Sequence, residues 1–511
     1  MFHTAIRIHR RIVDAAREYQ LLQDGIALGN YGTGMSPGQT SSPTDGFLAM
    51  PSSGMSPEQG WQFFIETESR KRTMYCLYYL DAQISICCNL RPLMTALELK
   101  YELPCRDDIW SAPTAAAWNM LVQAPDFSFN EEDDLDANGE PRPAHGDLYE
   151  TLMHLMNPDP TARPLGLLWY SPFASLMLVI QIQMMTRELV LASTFLYNNV
   201  RCNDTRHNLS IITEGNRAPI MQALSNLADL IPKPNSTAWS MVVGASDPRN
   251  TSGPNSSSSS GATLLWHAVW MAWYYTAISL THQDALLTSG IVEYSLPTAI
   301  STAWELGKPR AKPHRDIYED RDVMRVADHL EHVIQMLASP PLGTSTSVLQ
   351  DATGGVASGA SVGAGGTNGG GGGGGVGIPC IEDPFVTMLG FKACMMGWRV
   401  VRLMVLGLEQ PLIPGSDILQ MPARPNLYSV SAQVVLGRVM EAVGLAGSGS
   451  SPAATYDKWP FQDVYHGQVG TISAAEAKYL EWTERTFALR DVWPPGEWVV
   501  AVFNEPREGP V

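Results

Sequence analysis

The chain has 511 residues, 45% of them hydrophobic, with 44 glycines, 36 prolines and a net charge of −17. That hydrophobic content and length allow a large buried core, while the Gly/Pro excess points to long unstructured inserts. The charge argues against this polypeptide gripping nucleic acid by itself, since phosphate binding needs clustered Lys and Arg. Seven scattered cysteines, none spaced as CxxC, exclude a zinc finger within the chain and give no disulfide framework.

Met1 to about Gln23 predicts one helix, with Ile6, Ile12, Val13, Ala16 and Tyr19 available to a core. Its acidic residues Asp14 and Glu18 fit neither a secretory signal nor a mitochondrial presequence. Gly25–Gly60 is rich in Gly, Ser, Pro and Met and reads as a mobile insert.

The stretch Trp61–Asn89 predicts the helix around which the chain is organised, because it contains no Gly or Pro. Ser56-Pro57-Glu58 supplies the start: a hydroxyl cap, a first-turn proline and an acid beside the positive helix end. At 100° per residue, Trp61, Phe64, Ile65, Tyr75, Cys76, Tyr79 and Ile86 share a stripe with Glu68 and Arg72. Glu68 and Arg72 stand in the favourable acid-first i,i+4 order. From Met74 to Leu80 every side is apolar or aromatic, which predicts a helix surrounded by others. A buried Asp81 without a partner is costly, so a cation from another segment is expected to reach it. These charges read as structural ion pairs of an all-α core and not as catalytic acids.

The helix is followed by an Arg91-Pro92 turn, Thr95-Ala-Leu-Glu-Leu99, Leu103-Pro104-Cys105, Asp108-Ile-Trp110 and Trp118. This ordered set resembles the middle homology region of fungus-specific transcription factors (the regulatory domain of xylanolytic-activator type). It is most similar to the branch that carries paired two-Cys two-His zinc fingers. The family's Glu-x-x-Arg-Arg block falls on Glu68, Lys71 and Arg72, its central Asp on Asp81, its turn proline on Pro92 and its Leu-Pro on Leu103-Pro104. The resemblance implies an all-α multi-helix bundle in a nuclear, non-enzymatic protein governing RNA polymerase II transcription. DNA would be bound through zinc fingers that this chain lacks, so zinc is expected only in that missing region and no cofactor in this chain. Partners would be other transcription proteins or a second copy of the chain, with a small-molecule effector as a further expectation and no membrane. The family usually has further helices before the one at Met1 to about Gln23, so the sequence looks as if it begins inside the regulatory domain.

Further along, Phe129–Glu140 is a sharp acidic run. Asp134-Leu-Asp136-Ala-Asn138-Gly139 matches half of an EF-hand loop, but Pro141 follows and His145 replaces the bidentate Glu, leaving a solvated acidic loop. The uncharged span between Arg163 and Arg187 is long enough for a bilayer, yet Ser171-Pro172 restarts a helix within it. Thr263–Thr281 carries His267 and mid-segment Trp residues, unlike a membrane helix, so both spans predict buried core helices. Arg217–Leu230 is another helix, Ser246–Gly261 a linker, and Lys308–Arg315 a basic cluster that reads as a solvated loop or a weak nuclear-import signal.

Val323–Leu337 predicts an amphipathic helix whose His329 and His332 read as surface residues, with no third ligand suggesting a metal. Ser339–Gly377 is low complexity; its Gly359-Ala-Ser361-Val-Gly363 spells a nucleophile elbow, but a Gly/Ser tract cannot hold the strained turn. Asp383–Glu409, Ser431–Val443 and Ser473–Arg490 predict three more helices, the last opened by a Ser473-Ala-Ala-Glu476 capping box. The Trp266, Trp270, Trp273, Met395, Met396 and Trp398 set predicts either aromatic core packing or an apolar pocket.

The resulting division is a regulatory domain over 1–338, with inserts at about 25–57, 126–160 and 246–261. A Gly/Ser linker covers 339–378, and a helical part over 379–511 packs on the same domain. Two other readings remain at this point: an all-α enzyme, for which no converging nucleophile, base and orienting acid is visible, and a multi-helix membrane protein.

Overall fold

The computed structural model describes residues 2–22, 56–123, 147–157, 167–199, 214–234, 258–281, 297, 300–301, 320–338, 383–409, 437–444, 470–488, 490 and 500–503. Among these residues the regular structure is helical; the one pairing of extended backbone is an isolated antiparallel bridge between Glu102 and Asp147. The acidic run at 129–140, the basic cluster at 308–315 and the low-complexity tract at 339–377 lie outside the described residues.

Helix α1 (Phe2–Glu18) is followed by α2 (Pro57–Cys88). A 3-10 turn at Ala96–Glu98 comes next, then α3 (Asp107–Trp110), α4 (Ala115–Gln123), α5 (Leu148–Met156) and α6 (Leu167–Tyr170). The remainder is α7 (Pro172–Asn199), α8 (Glu214–Leu230), α9 (Ser258–Thr281), α10 (Asp320–Ala338), α11 (Pro384–Glu409) and α12 (Gly470–Ala488).

The middle of the packing is occupied by α7 and α9. Ala174, Leu176, Met177, Leu178, Val179 and Ile180 are all buried, so α7 is covered on every side over that stretch, and α9, whose Val269, Ala272 and Ala277 are also buried, packs along it. In turn α9 carries α10, α11 and α8 on its other faces, and α12 packs on α11. One buried apolar cluster runs from Val13 to Phe503. Gly397 sits where α11, α10 and α12 converge, and a Cβ there would overlap both the Tyr479 hydroxyl and Leu330.

Three expectations change. Helix α2 is not the enclosed centre of the molecule: it packs on α4, α7 and α11 and leaves Thr73, Cys76 and Leu80 on an exposed stripe. An all-round apolar sequence cannot distinguish a helix covered on every side from one covered on three. The segments read as inserts also contain helix: α5 lies inside 126–160, capped by Asp147, whose carboxylate accepts from the Glu150 N–H at 2.8 Å, and α9 begins at Ser258. Finally, α12 begins at Gly470, upstream of the Ser473 box, and Glu476 is spent elsewhere. It accepts from Trp398 Nε1 at 2.9 Å and from Arg402 at 2.8 Å. A charged partner and a buried indole outcompete a neutral cap for that carboxylate.

By length and composition, one helix among the described residues, Pro172–Ala192, is long and apolar enough to cross a membrane; 72% of that window is buried inside the bundle.

Candidate functional site: the charged seam of helix α2

The N-terminus of α2 is closed by a capping box. The Ser56 hydroxyl accepts from the Gln59 N–H at 3.3 Å, and the Gln59 side chain accepts from the Ser56 N–H at 3.1 Å. Two otherwise free donors are thereby satisfied, with Pro57 set for the first turn.

Three turns further along, Glu68 is 1% exposed and holds two cations of its own helix. Lys71 Nζ lies 2.9 Å from Oε2 and Arg72 Nε 3.0 Å from Oε1. The Cys105 backbone N–H, from the segment after the helix, also donates to Oε1 at 2.9 Å. Burial works to push the Glu68 carboxyl up, but Lys71, Arg72 and that N–H outweigh it and hold it below the usual range.

Arg72 then reaches outward, donating to the Cys105 carbonyl at 2.9 Å and to Asp107 Oδ1 at 3.0 Å. Its guanidinium lies 4.9 Å from the Trp110 ring centroid and 5.4 Å from that of Phe173. Burial pushes the Asp107 carboxyl up, which Arg72 only partly offsets. The Ser171 hydroxyl, which caps α7, also donates to the Cys105 carbonyl at 3.2 Å.

Asp81, 2% exposed, serves the other limb of the same excursion. Its Oδ2 accepts from the backbone N–H groups of Leu93 and Met94, both at 2.8 Å. Its Oδ1 faces His9 Nε2 at 2.8 Å. An ionised carboxylate only accepts, so the ring nitrogen donates. The partner from another segment is therefore a histidine of α1. The same α1 is fixed by Arg17, which forks onto Glu98 at 2.8 and 3.1 Å and donates to the Leu93 carbonyl. Tyr75 donates to the Tyr101 carbonyl at 3.0 Å, and Tyr101 donates to the Leu21 carbonyl at 2.6 Å.

The C-terminal end of α2 is built differently. Asn89 ends the helix in the left-handed conformation (φ 52), which a short polar side chain tolerates. No basic residue lies in the last turn. Instead Lys392 of α11, fully buried, donates to the Ile86 carbonyl at 2.6 Å, and Arg187 of α7 donates to the Leu90 carbonyl at 3.1 Å and to Asn89 Oδ1 at 3.2 Å. Both cations meet carbonyl groups that the helix cannot satisfy itself, at the negative end of its dipole. Burial pushes the Lys392 ammonium down to about 8. Near this end Tyr79 also donates to Asp383 Oδ2 at 2.8 Å, while Asp383 caps α11 by accepting from the Phe385 N–H at 2.9 Å.

Of the residues read from sequence, Glu68, Lys71 and Arg72 come together in one cluster, and Asp81 lies apart from them, three turns on. His9, Asp107, Arg187, Lys392 and Asp383 were missed. A signal existed for two of them: Arg187 is the first charge after Arg163, and Lys392 is the one charge between Asp383 and Arg399. A single charge in so apolar a helix has to be satisfied from another element.

Other candidates resolve as packing. Trp266, Trp270, Met395, Met396 and Trp398 are buried, and the indoles of Trp270 and Trp273 donate to the carbonyls of Pro232 and Leu224 at 2.9 and 2.8 Å. His329 is half-buried, edge-on to Trp273 at 5.4 Å, and burial lowers its ring to about 4; His332 stacks on Tyr274 at 5.0 Å. No group of three or more His, Cys, Asp or Glu able to hold a metal occurs among the described residues.

The seam is thus a set of side chains that hold backbone: α2 grips the excursion 89–110 at both ends, and α1 is pinned over it. This is the architecture of a helical scaffold. Residues 13–143, about a quarter of the chain, match the model of the fungal specific transcription factor domain. The match takes in Glu68, Lys71, Arg72 and Asp81 with the whole excursion. No curated protein and no solved structure matches the chain.

Proposed function

We propose that this chain is the regulatory, non-catalytic part of a fungal transcription factor acting on RNA polymerase II transcription in the nucleus. DNA is contacted through two-Cys two-His zinc fingers outside this sequence, where the factor's zinc resides. The helical part over 379–511 works with 1–338 as one regulatory unit across the Gly/Ser linker 339–378. Its partners are other transcription proteins or a second copy of the chain; no membrane is involved.

The observation that carries this reading is how the matched block spends its charges. Glu68, Lys71, Arg72 and Asp81 are taken up by one another, by His9 and Asp107, and by backbone groups of the excursion. A catalytic acid needs a face open to substrate. These carboxylates are 1% and 3% exposed and face protein donors.

The test is transcriptional. The full chain fused to a heterologous DNA-binding domain in a fungal host is expected to change reporter output relative to that domain alone, with the fusion concentrated in the nucleus. Output indistinguishable from the DNA-binding domain, at equal protein level, overturns the reading.

A further inference from the structure

Helix α1 turns one face to the molecule and leaves a second, apolar one uncovered. His9, Val13 and Ala16 are buried, with His9 on Asp81. Ile8, Ile12 and Tyr19 are instead 54%, 49% and 66% exposed, although Ile12 and Tyr19 read from the sequence as core residues. With the exposed Ala5 and the half-buried Ala15 they fall at i, i+3, i+7, i+10 and i+14, in alternating steps of three and four residues. The Tyr19 N–H still donates to the Ala15 carbonyl at 2.9 Å, so the last member stays in helical register. At 100° per residue the five side chains form one stripe, about a quarter-turn round the helix from the buried face. That spacing is the a/d seam one helix offers another, which singly scattered surface residues do not produce.

The residues beside the stripe say what fits over it. On one side lie His9 and Ala16, taken up by the chain's own core. On the other lie Arg11 and Glu18, both exposed, seven residues apart at positions that flank such a seam. Arg7 and Arg10 fall on other faces of the helix. Two copies of α1 laid antiparallel about a two-fold axis set each a position against a d position. With Ile12 of one copy over Ala15 of the other, Ile8 meets Tyr19: a large side chain faces the small one at the centre, and two large ones close each end. The same register brings Arg11 of each copy beside Glu18 of the other, twice by symmetry. A parallel pairing stacks Ala5 on Ala5 and Ala15 on Ala15, which leaves voids, and turns Arg11 and Glu18 towards positions already buried.

We infer that the Ile8, Ile12 and Tyr19 stripe of α1 is a docking surface for a second copy of this chain, the two α1 helices meeting antiparallel with Arg11–Glu18 pairs along their flank. The second copy is thereby preferred among the partners of the proposed function, and the dimer's role rests on that reading. One helix face of about four turns is small beside the roughly 800 Å² that each partner gives to a standard interface, so the dimer is a weak one that dissociates at micromolar concentrations.

The test is sedimentation equilibrium of the full chain over a concentration series from low to high micromolar, in which the wild type is expected to pass from monomer to dimer. Ile12→Glu puts a charge in the middle of the stripe, while Arg11→Glu and Glu18→Arg each set like charges against one another. Each is expected to weaken the dimer by about tenfold or more. Mixing the Arg11→Glu chain with the Glu18→Arg chain restores both pairs across the axis, and the mixture is expected to dimerise as the wild type does. The three positions are exposed, so Tm is expected to stay at the wild-type value in every variant. A wild type that stays monomeric at the highest concentration overturns the inference, including where Ile12→Glu lowers Tm because another segment of the chain covers the stripe. A dimer indifferent to Ile12→Glu, or charge variants that mixing does not rescue, place the contact on another face or in another orientation and overturn it too. No reporter enters this measurement, so a monomeric chain leaves the transcriptional reading standing.

Discussion

The two ends of the α2 seam neutralise their charges by opposite means. Around Glu68 the balance is between side chains, two of them one turn away on the same helix, and the carboxyl settles below its usual range. Around Lys392 no carboxylate among the described residues is bound to the cation: its partner is a carbonyl of α2, and burial, with the nearby cation Arg187 adding to it, pushes the ammonium down to about 8. Pairing by side chains makes a site that fails when one member is removed. Pairing by a helix end makes one whose cation is replaceable, because the carbonyls carry only partial charge.

The largest expected effect breaks the first kind. Arg72→Ala leaves Asp107 and Glu68 each short of a cation in buried surroundings, and Asp81→Ala strips the Leu93 and Met94 N–H groups and His9 of their acceptor. Each substitution is expected to cost about 3–5 kcal/mol in urea unfolding. Curves that overlay the wild type would show that solvent already screens these charges, and the contrast between the two ends would vanish.

The next effect sharpens the comparison through pH. An unfolded lysine titrates near 10.4, whereas Lys392 in the fold titrates at about 8. Between those values the unfolded chain binds more protons than the folded one, so stability rises with pH across roughly 8 to 10.4 and is flat below. The wild type is expected to gain about 3 kcal/mol over that window. Lys392→Met, similar in length and uncharged, is expected to lose the gain while being no less stable than the wild type at pH 7. A Met variant that retains the alkaline rise, or that unfolds at pH 7, would assign Lys392 the same role as Arg72.

The same contrast explains what could be read from the sequence. Glu68, Lys71 and Arg72 lie within one turn or so of each other, where helical spacing alone predicts contact, and Ser56-Pro57 announces the start of their helix. Helix type and the all-α class were legible for the same reason, since 3.6-residue periodicity and the scarcity of alternating patterns are local. Partners seventy or three hundred residues distant were not. Nothing in the spacing of His9 and Asp81, or of Lys392 and Ile86, signals that they meet. The misplaced centre has a related cause. Apolar content along α2 and α7 is alike over a turn or two, and only the assembled bundle decides that residues 174–180 of α7 are wrapped on every side while α2 keeps an open stripe. The Ser473 box failed because a local cap competes with tertiary partners, and Glu476 found Arg402 and Trp398.

The smallest effect concerns the start of α2, where the helix end is exposed and neutral groups do the capping. Ser56→Ala removes the acceptor for the Gln59 N–H and uncouples the reciprocal bond. Loss of an N-cap hydroxyl costs about 1 kcal/mol, and the freed N–H turns to water here instead of remaining buried. Ser56→Asp keeps an acceptor and adds charge of the favourable sign at the positive helix end, so it is expected to match or slightly exceed the wild type. Equilibrium unfolding of the pair therefore separates capping from burial. If Ser56→Ala were as damaging as Arg72→Ala, the first turn of α2 would belong to the buried seam, and the distinction between a solvent-capped start and a cation-capped finish would have to be abandoned.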